Sequence, residues 1–360
     1  MSTPIFQVTM DGADVSDAVA TRLLSLTVRD NAGEEADSFV LDLDDGDGDN
    51  TPHLPLPIPQ QVVEISMGYA ETGLVWLGKF YVNEIQLSGN PGREMRVHGE
   101  SVNMASAVRT TRSDAWDDTD LGTIVSTIAG RNGLTPIIDG DLAGIPIEHL
   151  DQMARSDMHF VSQLAVEYRA VAKVIDDNLI LAKRGAGASI TGGEIGNVRI
   201  TLGVDDVLSW NSMFQIRGNN GAIKARWYDW DLGQTVEEEA PMVDGAASTK
   251  TITRRFAYPE DAQRAAGSES RRLDAARGRV TVEMCGKPEI VAEGFATLAN
   301  FRDPIDRMWK IKSVEHTFDA AGFRTVLEGE YPEDGGAGGD GGADLPDVPI
   351  GGGGVQDPQQ

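Results

Sequence analysis

The segment from Thr110 to Gly185 constrains the fold more than any other, because two amphipathic helical patterns and a hairpin pattern follow one another in it. Before the first pattern, Asp117–Thr119 offers short oxygen acceptors of the kind that cap a helix N-terminus. Apolar residues then recur at the helical spacing, at Leu121, Ile124, Val125 and Ile128. Asn132-Gly133 supplies a left-handed stop, so we predict that the helix ends there.

A second helix is predicted to begin at Ser156-Asp157, which is a favourable N-cap sequence. Its apolar face would consist of Phe160, Val161, Leu164 and Tyr168. Two short apolar runs follow, at Val171–Ile175 and Leu179–Ala182, and the polar turn Asp176–Asn178 separates them. This pattern predicts a β-hairpin, so the whole segment is expected to fold as a compact α/β unit.

The chain before residue 109 alternates apolar and polar residues in short runs that are separated by Gly, Pro and Asn. The apolar positions are Phe6, Val8, Met10, Leu24, Leu26, Val28, Phe39, Leu41, Leu43, Val63, Ile65, Met67, Phe80, Val82, Met95 and Val97. A period of two in runs of this length predicts strands. Their regular spacing predicts an antiparallel barrel or sandwich.

Strand patterns return after the α/β unit and continue to residue 332, with one helical interruption. The predicted strands are Val198–Leu202, Val207–Arg217, Ala222–Asp231, Val280–Met284, Trp309–Phe318 and Phe323–Leu327. Between them, Tyr258–Gly278 is predicted to be helical, because Pro259 suits a first helical turn and Ala262 and Ala266 share a small-residue face. Near the end, the apolar phase changes between Ile311 and Val314, which predicts a β-bulge.

The final segment, residues 333–360, contains abundant Gly, scattered acids and no Lys, Arg or aromatic residue. A segment of this composition cannot bury enough apolar surface to offset the entropy that ordering would cost. We therefore predict a disordered, flexible tail or tether over residues 333–360.

The chain has 360 residues and a net charge of −26, from 31 basic and 57 acidic side chains. This acid excess argues against a nucleic-acid-binding surface, because such a surface needs Lys and Arg to displace counterions. The single cysteine, Cys285, excludes an internal disulfide framework and indicates a reducing compartment. We see no signal-peptide pattern and no apolar window of membrane-spanning length, so we expect no membrane insertion.

The acidic run Leu41–Asn50 has some features of a calcium-binding loop. Acids occupy the first, third and fifth loop positions when counting starts at Asp45. However, the sixth position is Asn50 instead of Gly, and the twelfth is Leu56 instead of Glu. A solvated loop is therefore the preferred interpretation.

The five histidines show no metal-ligand spacing; they are His53, His98, His149, His159 and His316. His316 stands beside Val314 and Phe318 in a strand pattern, which favours a partly buried, hydrogen-bonded imidazole. Cys285 has no neighbouring base in the sequence, so a small core residue is preferred over a nucleophile. We predict no metal site, no cofactor site and no catalytic residue.

The run Lys224–Trp230 mixes basic and aromatic residues, as a binder of single-stranded nucleic acid would. In a chain with this acid excess, a barrel strand or a subunit contact is preferred. A glycosidase-type pair of acids stays open as an alternative because Asp and Glu are frequent. None of them stands in an apolar setting that would raise its pKa.

The segment with the two helices also resembles the middle of the phage late control D proteins, a tail hub family that is similar to the hub part of type VI secretion spikes. In this sequence the signature residues are Trp116, Thr119–Val125, Ile128-Ala129, Gly133–Pro136, Gln152, Ser156-Asp157, Phe160 and Arg184-Gly185. Later residues that also match are Gly286–Pro288, Gly294, Trp309 and His316. The departures are Ala154-Arg155, where the family usually has a polar residue and Glu, and Arg169, where Gly is usual. The resemblance covers about residues 1–332.

The resemblance implies an α+β, mainly β chain with two antiparallel β-barrel domains that form a pseudo-sixfold ring in a homotrimer. The expected division is a first barrel at 1–108, an α/β lobe at 109–189, a second barrel at 190–250 and 279–332, a helical insertion at 251–278, and the tail at 333–360. We expect the helix with Ala262 and Ala266 to lie at a subunit contact, because alanines permit close approach.

The resemblance further implies a structural, non-enzymatic baseplate hub of a contractile phage tail, which adapts the hexameric tail tube to the trimeric central spike. Its partners would be further copies of itself, the tail tube protein, the spike protein and other baseplate proteins. The tape measure protein is a further candidate, and DNA would be passing cargo only. The expected location is the virion, with assembly in the host cytoplasm. The alternatives are the hub of a headless phage-tail-like bacteriocin or secretion device, and a wall-degrading enzyme of the tail tip.

Overall fold

The computed structural model describes residues 2–332 apart from several short stretches. The gaps are 33–34, 47–52, 90–92, 102–110, 169, 176, 184–196, 215–219, 230–231, 242–247, 257, 260–261, 264, 268 and 271–277. The predicted tail at 333–360 therefore lies outside the described residues, as do Arg169 and Arg184-Gly185.

The first part of the chain forms seven strands and one short helix. They are β1 (Pro4–Met10), β2 (Ala13–Asp14), α1 (Ser16–Ala20), β3 (Leu23–Asn31), β4 (Ser38–Asp44), β5 (Val62–Tyr69), β6 (Gly73–Gly89) and β7 (Arg93–Glu100). The predicted alternation is confirmed, since its apolar positions in β4, β5 and β7 are all buried. Leu24 is an exception: a register shift between Leu23 and Ser25 leaves it exposed, and Leu23 packs against the core instead.

The middle of the chain forms the α/β lobe. Its elements are β8 (Thr111–Asp120), α2 (Leu121–Arg131), β9 (Thr135–Ile138), α3 (Gly140–Ala143), β10 (Pro146–Ser156), α4 (Asp157–Glu167), β11 (Ala170–Ile175) and β12 (Asn178–Lys183). Both predicted helices and the hairpin β11–β12 are confirmed, and β9 adds to β12 in parallel. Strands β8 and β10, which pair with each other, and helix α3 were not predicted.

The first helix cap differs from the prediction. Asp120 is the N-cap of α2, and its side chain accepts a hydrogen bond from the backbone N–H of Thr123 at 2.7 Å. Asp117–Thr119 lie in β8, because pairing with β10 extends the strand up to the helix. The second cap is confirmed, since the Ser156 side chain accepts from the backbone N–H of His159.

The last part of the chain is almost entirely β. Its strands are β13 (Asn197–Thr201), β14 (Val207–Phe214), β15 (Asn220–Asp229), β16 (Gln234–Pro241), β17 (Ser248–Phe256), β18 (Gly278–Cys285), β19 (Phe295–Ala299), β20 (Met308–Asp319) and β21 (Gly322–Glu330). The residues that the structure describes between 259 and 270 are helical.

One sheet of 13 strands joins the first and last parts of the chain. Its order is β14-β18-β21-β20-β3-β4-β7-β6-β5-β1-β2, with β19 and then β13 attached to β20. Strand β20 pairs with strands from both the first and the last part of the chain. The predicted bulge, confirmed between Ile311 and Ser313, is the point at which its pairing partner changes. Residues before the bulge pair with β19, and residues from Ser313 onward pair with β3.

Two apolar cores lie against this sheet. The first is built by β1 and β3–β7 and includes Phe323, and the second is built by β13 and β18–β21 and includes Trp309. The two halves also touch through side chains: the rings of Phe6 and Phe318 are 4.9 Å apart. Each half therefore has its own core. The closure of either half into a barrel stays a prediction, because the hydrogen-bonded path through the described strands is open.

The predicted boundaries of the second barrel and the helical insertion need correction. Strands β15, β16 and β17 form a separate three-stranded sheet, and Thr251–Phe256 belongs to β17 instead of a helix. The alanines of the helix, Ala262 and Ala266, are buried against Ile223 in this same chain, which accounts for their small size without a subunit contact. The parallel pairing of β15 with β17 is long-range, so the local pattern did not reveal it.

Candidate functional site

The histidines that were considered as metal ligands are bound by other groups. His53 Nδ1 lies 2.9 Å from Asp45 Oδ2, and its Nε2 lies 3.0 Å from Arg93 Nη1. His98 Nδ1 lies 2.8 Å from Asn83 Oδ1. The His53 ring thus lies between two exposed partners, and the His98 ring lies in a half-buried hydrogen bond.

His149 and His159 lie on the lobe surface. A hydrogen bond to Asp117 raises the pKa of His149 above its usual value, and the nearby carboxylate of Asp151 adds to the effect. His159 is exposed on α4. Among the residues that the structure describes, no group of three or more His, Cys, Asp or Glu is placed to hold a metal ion.

His316 is hydrogen-bonded, as predicted, but it is almost fully buried instead of partly buried. Its Nδ1 lies 2.9 Å from the hydroxyl of Thr325, and its Nε2 lies 3.2 Å from the backbone oxygen of Ile290. Burial lowers the pKa of His316 to about 4, so the imidazole is neutral at physiological pH. It connects β20, β21 and the loop before β19 and has no free nitrogen for chemistry.

Asp45 and Cys285, which were considered as a calcium ligand and a nucleophile, also make structural contacts. Asp45 accepts a hydrogen bond from the backbone N–H of Leu54 at 2.8 Å, which holds the pKa of its carboxyl below the usual value. Residues 47–52, which complete the considered calcium loop, lie outside the described part of the chain. Cys285 is half-buried at the end of β18, and its backbone N–H donates to the backbone oxygen of Asp206.

The basic and aromatic run forms a strand, but β15 lies in the separate three-stranded sheet instead of a barrel, and acids on the neighbouring strand neutralise it. Lys224 and Arg226 of β15 both contact Glu237 of β16, at 3.2 Å and 3.0 Å. The indole N–H of Trp227 donates to Glu238 at 3.2 Å. The strand therefore does not present free positive charge to a phosphate backbone.

Buried polar side chains in the lobe connect the end of α2 to the start of α4. Fully buried Asp157 accepts hydrogen bonds from Gln152 Nε2 and Asn132 Nδ2, each at 2.9 Å. Arg112 Nε lies 3.6 Å from Asp157 Oδ2, and Gln152 also donates to the backbone oxygen of Arg155. We call the four side chains of Arg112, Asn132, Gln152 and Asp157 the lobe network. Gln152 and Asp157 are signature residues, so the signature marks a structural network.

Other signature residues also serve packing. A Cβ at Gly122 would lie 3.0 Å from the backbone of Ala143, so glycine allows α2 and α3 to approach closely. Phe160 is buried in the lobe core. The guanidinium of Arg131 lies over the ring of Trp116, 5.2 Å from its centroid.

A second buried polar cluster joins the lobe to both halves of the large sheet. Lys173 of β11 is 8% exposed, and its Nζ lies 2.9 Å from Asp30 Oδ1 and 2.7 Å from Asp37 Oδ1. It also donates to the backbone oxygen of Asn31 at 2.8 Å. The other oxygen of Asp30 accepts from the backbone N–H of Ala292 at 2.7 Å. We call Asp30, Asp37 and Lys173 the three-way junction, because the lobe, the first sheet half and the last sheet half meet there.

The three-way junction holds two carboxylates against one ammonium. Burial alone would lower the pKa of Lys173, but the two acids raise it above its usual value. Burial would raise the pKa of Asp30, yet Lys173 and the hydrogen bond from Ala292 hold it below its usual value. Burial and the nearby negative charge of Asp30 raise the pKa of Asp37 to about 7, although Lys173 acts in the opposite direction.

A further polar contact fixes the hairpin turn of the lobe to the first sheet half. Asp177 Oδ2 lies 2.8 Å from Lys79 Nζ, and Asp177 Oδ1 accepts from the hydroxyl of Tyr81 at 3.1 Å. The hydrogen bond from Lys79 lowers the pKa of the Asp177 carboxyl. The sequence reasoning missed both attachments. The one sequence feature that could have indicated the three-way junction is Lys173, a lysine inside an apolar strand.

An open cleft of about 950 Å³ lies between the lobe and β17. Arg155 and Phe160 line it on the lobe side, and Ile252 lines it on the other side. Its lysine, Lys250, pairs with Glu269 at 2.7 Å. The cleft thus presents a mixture of apolar surface and paired charges.

Comparison with known proteins identifies a family. The family model described as "Phage tail baseplate hub (GPD)" matches residues 57–322. The chain is 28% identical to the "Probable baseplate hub protein" of Escherichia phage P2, and the alignment covers 91% of this chain and 92% of that protein.

Solved structures show the same fold. The 43 kDa tail protein of prophage MuSo2 from Shewanella oneidensis has a TM-score of 0.74 at 15% identity, covering 92% of this chain and 99% of that one. An Escherichia coli protein described as a component of the type VI secretion system has a TM-score of 0.53 at 10% identity, covering 87% of this chain and 74% of that one. The mainly β architecture is thus common to tail and secretion-system proteins.

Proposed function

The chain belongs to the phage tail baseplate hub family, and we propose that three copies of it form the hub of a contractile tail. In this proposal the homotrimer adapts the hexameric tail tube to the trimeric central spike. The match over residues 57–322 carries the proposal. The two apolar cores of the large sheet support it, because two similar halves in each of three copies would present six similar units to the tube.

The attachment of the lobe supports a role in force transmission. The three-way junction and the contact of Asp177 with Lys79 bind the lobe to the large sheet with charged groups at 2.7–2.9 Å. Breaking a buried ion pair leaves an uncompensated charge, which strongly opposes separation. The lobe and the sheet would therefore move together when the tail contracts.

The surface chemistry supports protein partners and DNA as passing cargo. A net charge of −26 repels phosphate at short range, so DNA would pass through the hub without adsorbing to it. The protein partners would be the tail tube protein, the spike protein, other baseplate proteins and the tape measure protein. No described helix could cross a membrane. The location would be the tail baseplate of the virion, after assembly in the host cytoplasm.

The assembly state is tested by mass photometry of the purified protein, followed by electron cryo-microscopy of the purified particle. We expect a species of three times 38.6 kDa and a ring with threefold symmetry between tube and spike. A protein that stays monomeric alone and in the particle would overturn the proposal. A particle without a capsid would assign the hub to a bacteriocin-like device.

The non-enzymatic role is tested separately by a peptidoglycan zymogram. We expect no clearing, because His53, His98 and His316 and the acids that contact them or Lys173 are engaged in structural contacts. Clearing that persists after purification to homogeneity would show a wall-degrading activity and would contradict the proposal.

A further inference from the structure

Strand β14 is an uncharged, open edge of the large sheet. Within the described residues it pairs with β18 on one side only. Its sequence from Val207 to Phe214 contains no charged residue. Three of its large side chains are exposed: Leu208 by 55%, Trp210 by 38% and Met213 by 51%.

Most of the other edge strands that the structure describes are protected. The exception is the first half of β6, where Gly73–Gly78 pairs with β5 only, contains no charged residue and exposes Leu74, Val75 and Trp76. Strand β16 carries Glu237, Glu238 and Glu239 and ends at Pro241, and β8, β10 and β17 also contain charged residues. Strands β2, β9 and β13 have only two to five residues, and β11 carries Lys173 to the three-way junction. At the other end of the large sheet, β2 covers only the end of β1. At Val8 the outward backbone groups are already bonded, because its N–H donates to the Ser16 hydroxyl and its oxygen accepts from the Val15 N–H.

This difference matters because open edges are the usual sites of unwanted strand pairing. Proteins place charges, prolines or short strands at edges to prevent it. An eight-residue edge without these features, with apolar side chains exposed on it, is typical of a strand that another chain covers.

The net charge of the protein indicates what kind of chain covers β14. Each copy of this protein carries a net charge of −26, so two copies repel each other over most of their surfaces. They can approach closely only where the surface is free of charge. The side chains of β14 itself meet that condition, since none of them is charged. A charged group that contacts the strand is Glu283 of β18, which accepts a hydrogen bond from the Ser209 hydroxyl at 2.9 Å.

We propose that β14 is a contact strand through which one copy of this chain docks onto a different surface of the next copy. A contact between two different surfaces can close into a ring of three, whereas β14 paired with itself would stop at a dimer. This inference rests on the proposed homotrimer and assigns one side of its interface. The backbone groups of β14 would supply hydrogen bonds, and Leu208, Trp210 and Met213 would supply the apolar contact.

The test places a charge on the edge of the full-length protein. We expect Leu208→Lys and Met213→Lys each to weaken trimer formation by about tenfold or more, measured by mass photometry over a dilution series. Ile58→Lys is the matched control, because Ile58 is 70% exposed outside β14, and it should leave the association unchanged. Urea unfolding of each variant at high dilution checks that the fold is intact.

Hydrogen exchange supplies a readout that does not depend on a variant. The outward backbone N–H groups of β14 should exchange more slowly in the trimer than in the diluted monomer. If the wild-type protein is trimeric but the Lys variants associate normally and β14 exchange does not change, the β14 assignment is wrong while the trimer stands. If the wild-type protein does not form trimers at all, the proposed function fails as well. A stable dimer that the Lys variants abolish would show self-pairing and overturn the ring.

Discussion

The lobe network and the three-way junction are both buried polar clusters, but they connect very different parts of the chain. The lobe network joins residues from Arg112 to Asp157 inside one lobe. The three-way junction joins Lys173 to Asp30, 143 residues away, and through Asp30 to Ala292, 262 residues away. The first orders a single lobe, and the second holds three parts of the molecule together.

The two clusters also differ in charge. In the lobe network, the Asp157 carboxylate is surrounded by amide donors and one guanidinium, so a single negative charge has several partners. In the three-way junction, two carboxylates share one ammonium, so a proton is needed for full compensation. The comparison indicates that the lobe network depends on hydrogen bonds, whereas the junction depends on the balance of charge.

Lys173→Met should cause the largest effect, because it removes the buried cation that contacts both Asp30 and Asp37, which are themselves only partly exposed. We expect a loss of about 3–5 kcal/mol in the free energy of unfolding. The measurement is urea denaturation followed by tryptophan fluorescence. Lys183→Met is the matched control on the same hairpin, since its pair with Asp141 is exposed, and it should not measurably change stability. Equal losses in both variants would contradict the importance of burial at the junction.

Asp157→Ala should have the next largest effect, because it leaves one side-chain N–H of Gln152 and one of Asn132 without an acceptor, although each amide keeps its bond to a backbone oxygen. We expect a loss of about 3 kcal/mol, measured in the same way. Asp157→Asn keeps one acceptor oxygen and should lose less. If the two variants are equally destabilised, the charge of Asp157 matters more than its hydrogen bonds, and the contrast between the clusters weakens.

Asp37→Asn tests the charge balance of the junction through pH. Folding raises the pKa of Asp37 from its usual 3.8 to about 7, so the folded state binds more protons across this window. The stability contributed by Asp37 therefore falls as pH rises from about 4 to 7. The Asn variant lacks this pH-dependent contribution. The difference in unfolding free energy, variant minus wild type, should therefore increase as pH rises from about 4 to 7. A difference that stays flat with pH would show that Asp37 is ionised throughout.

Ala154→Gly should have the smallest effect and the opposite sign. Ala154 adopts a φ of 48°, next to the bulge between Gln152 and Arg155 that positions the lobe network. Glycine relieves this strain but adds chain entropy, so we expect a gain of about 0.5 kcal/mol. Thermal unfolding measures it, and Ala154→Ser, which keeps a Cβ, is the control. A loss of stability in the glycine variant would show that the bulge needs a side chain.

Much of the lobe was predictable because its signals are local. The cap at Ser156, the stop at Gly133 and the hairpin β11–β12 each depend on residues a few positions apart. Strand β10 was not predictable in the same way. Its residues are mostly exposed and it exists through pairing with β8, so its sequence carries no clear alternation.

Among the chemical candidates, the histidines and the basic strand could be weighed from the sequence, but their partners could not. His316 was expected to be partly buried and hydrogen-bonded, and the structure shows that its partners are Thr325 and Ile290. The neutralisation of β15 by Glu237 and Glu238 required knowledge of the strand register. Lys173 was hidden because a lysine in a short apolar strand gives no indication of which acids it will meet.

The sequence by itself determined the local elements, the two-helix lobe and the family. Caps, turns and periodic burial depend on residues a few positions apart, so each can be predicted from a short segment of the sequence. Only the tertiary structure decided that β3 and β20 join both halves in one sheet, that three segments meet at Lys173, and that β14 ends the sheet. These features depend on which distant strands pair, and that is selected by the burial of whole apolar faces together. The pairing of distant strands therefore cannot be predicted from any single segment of the sequence.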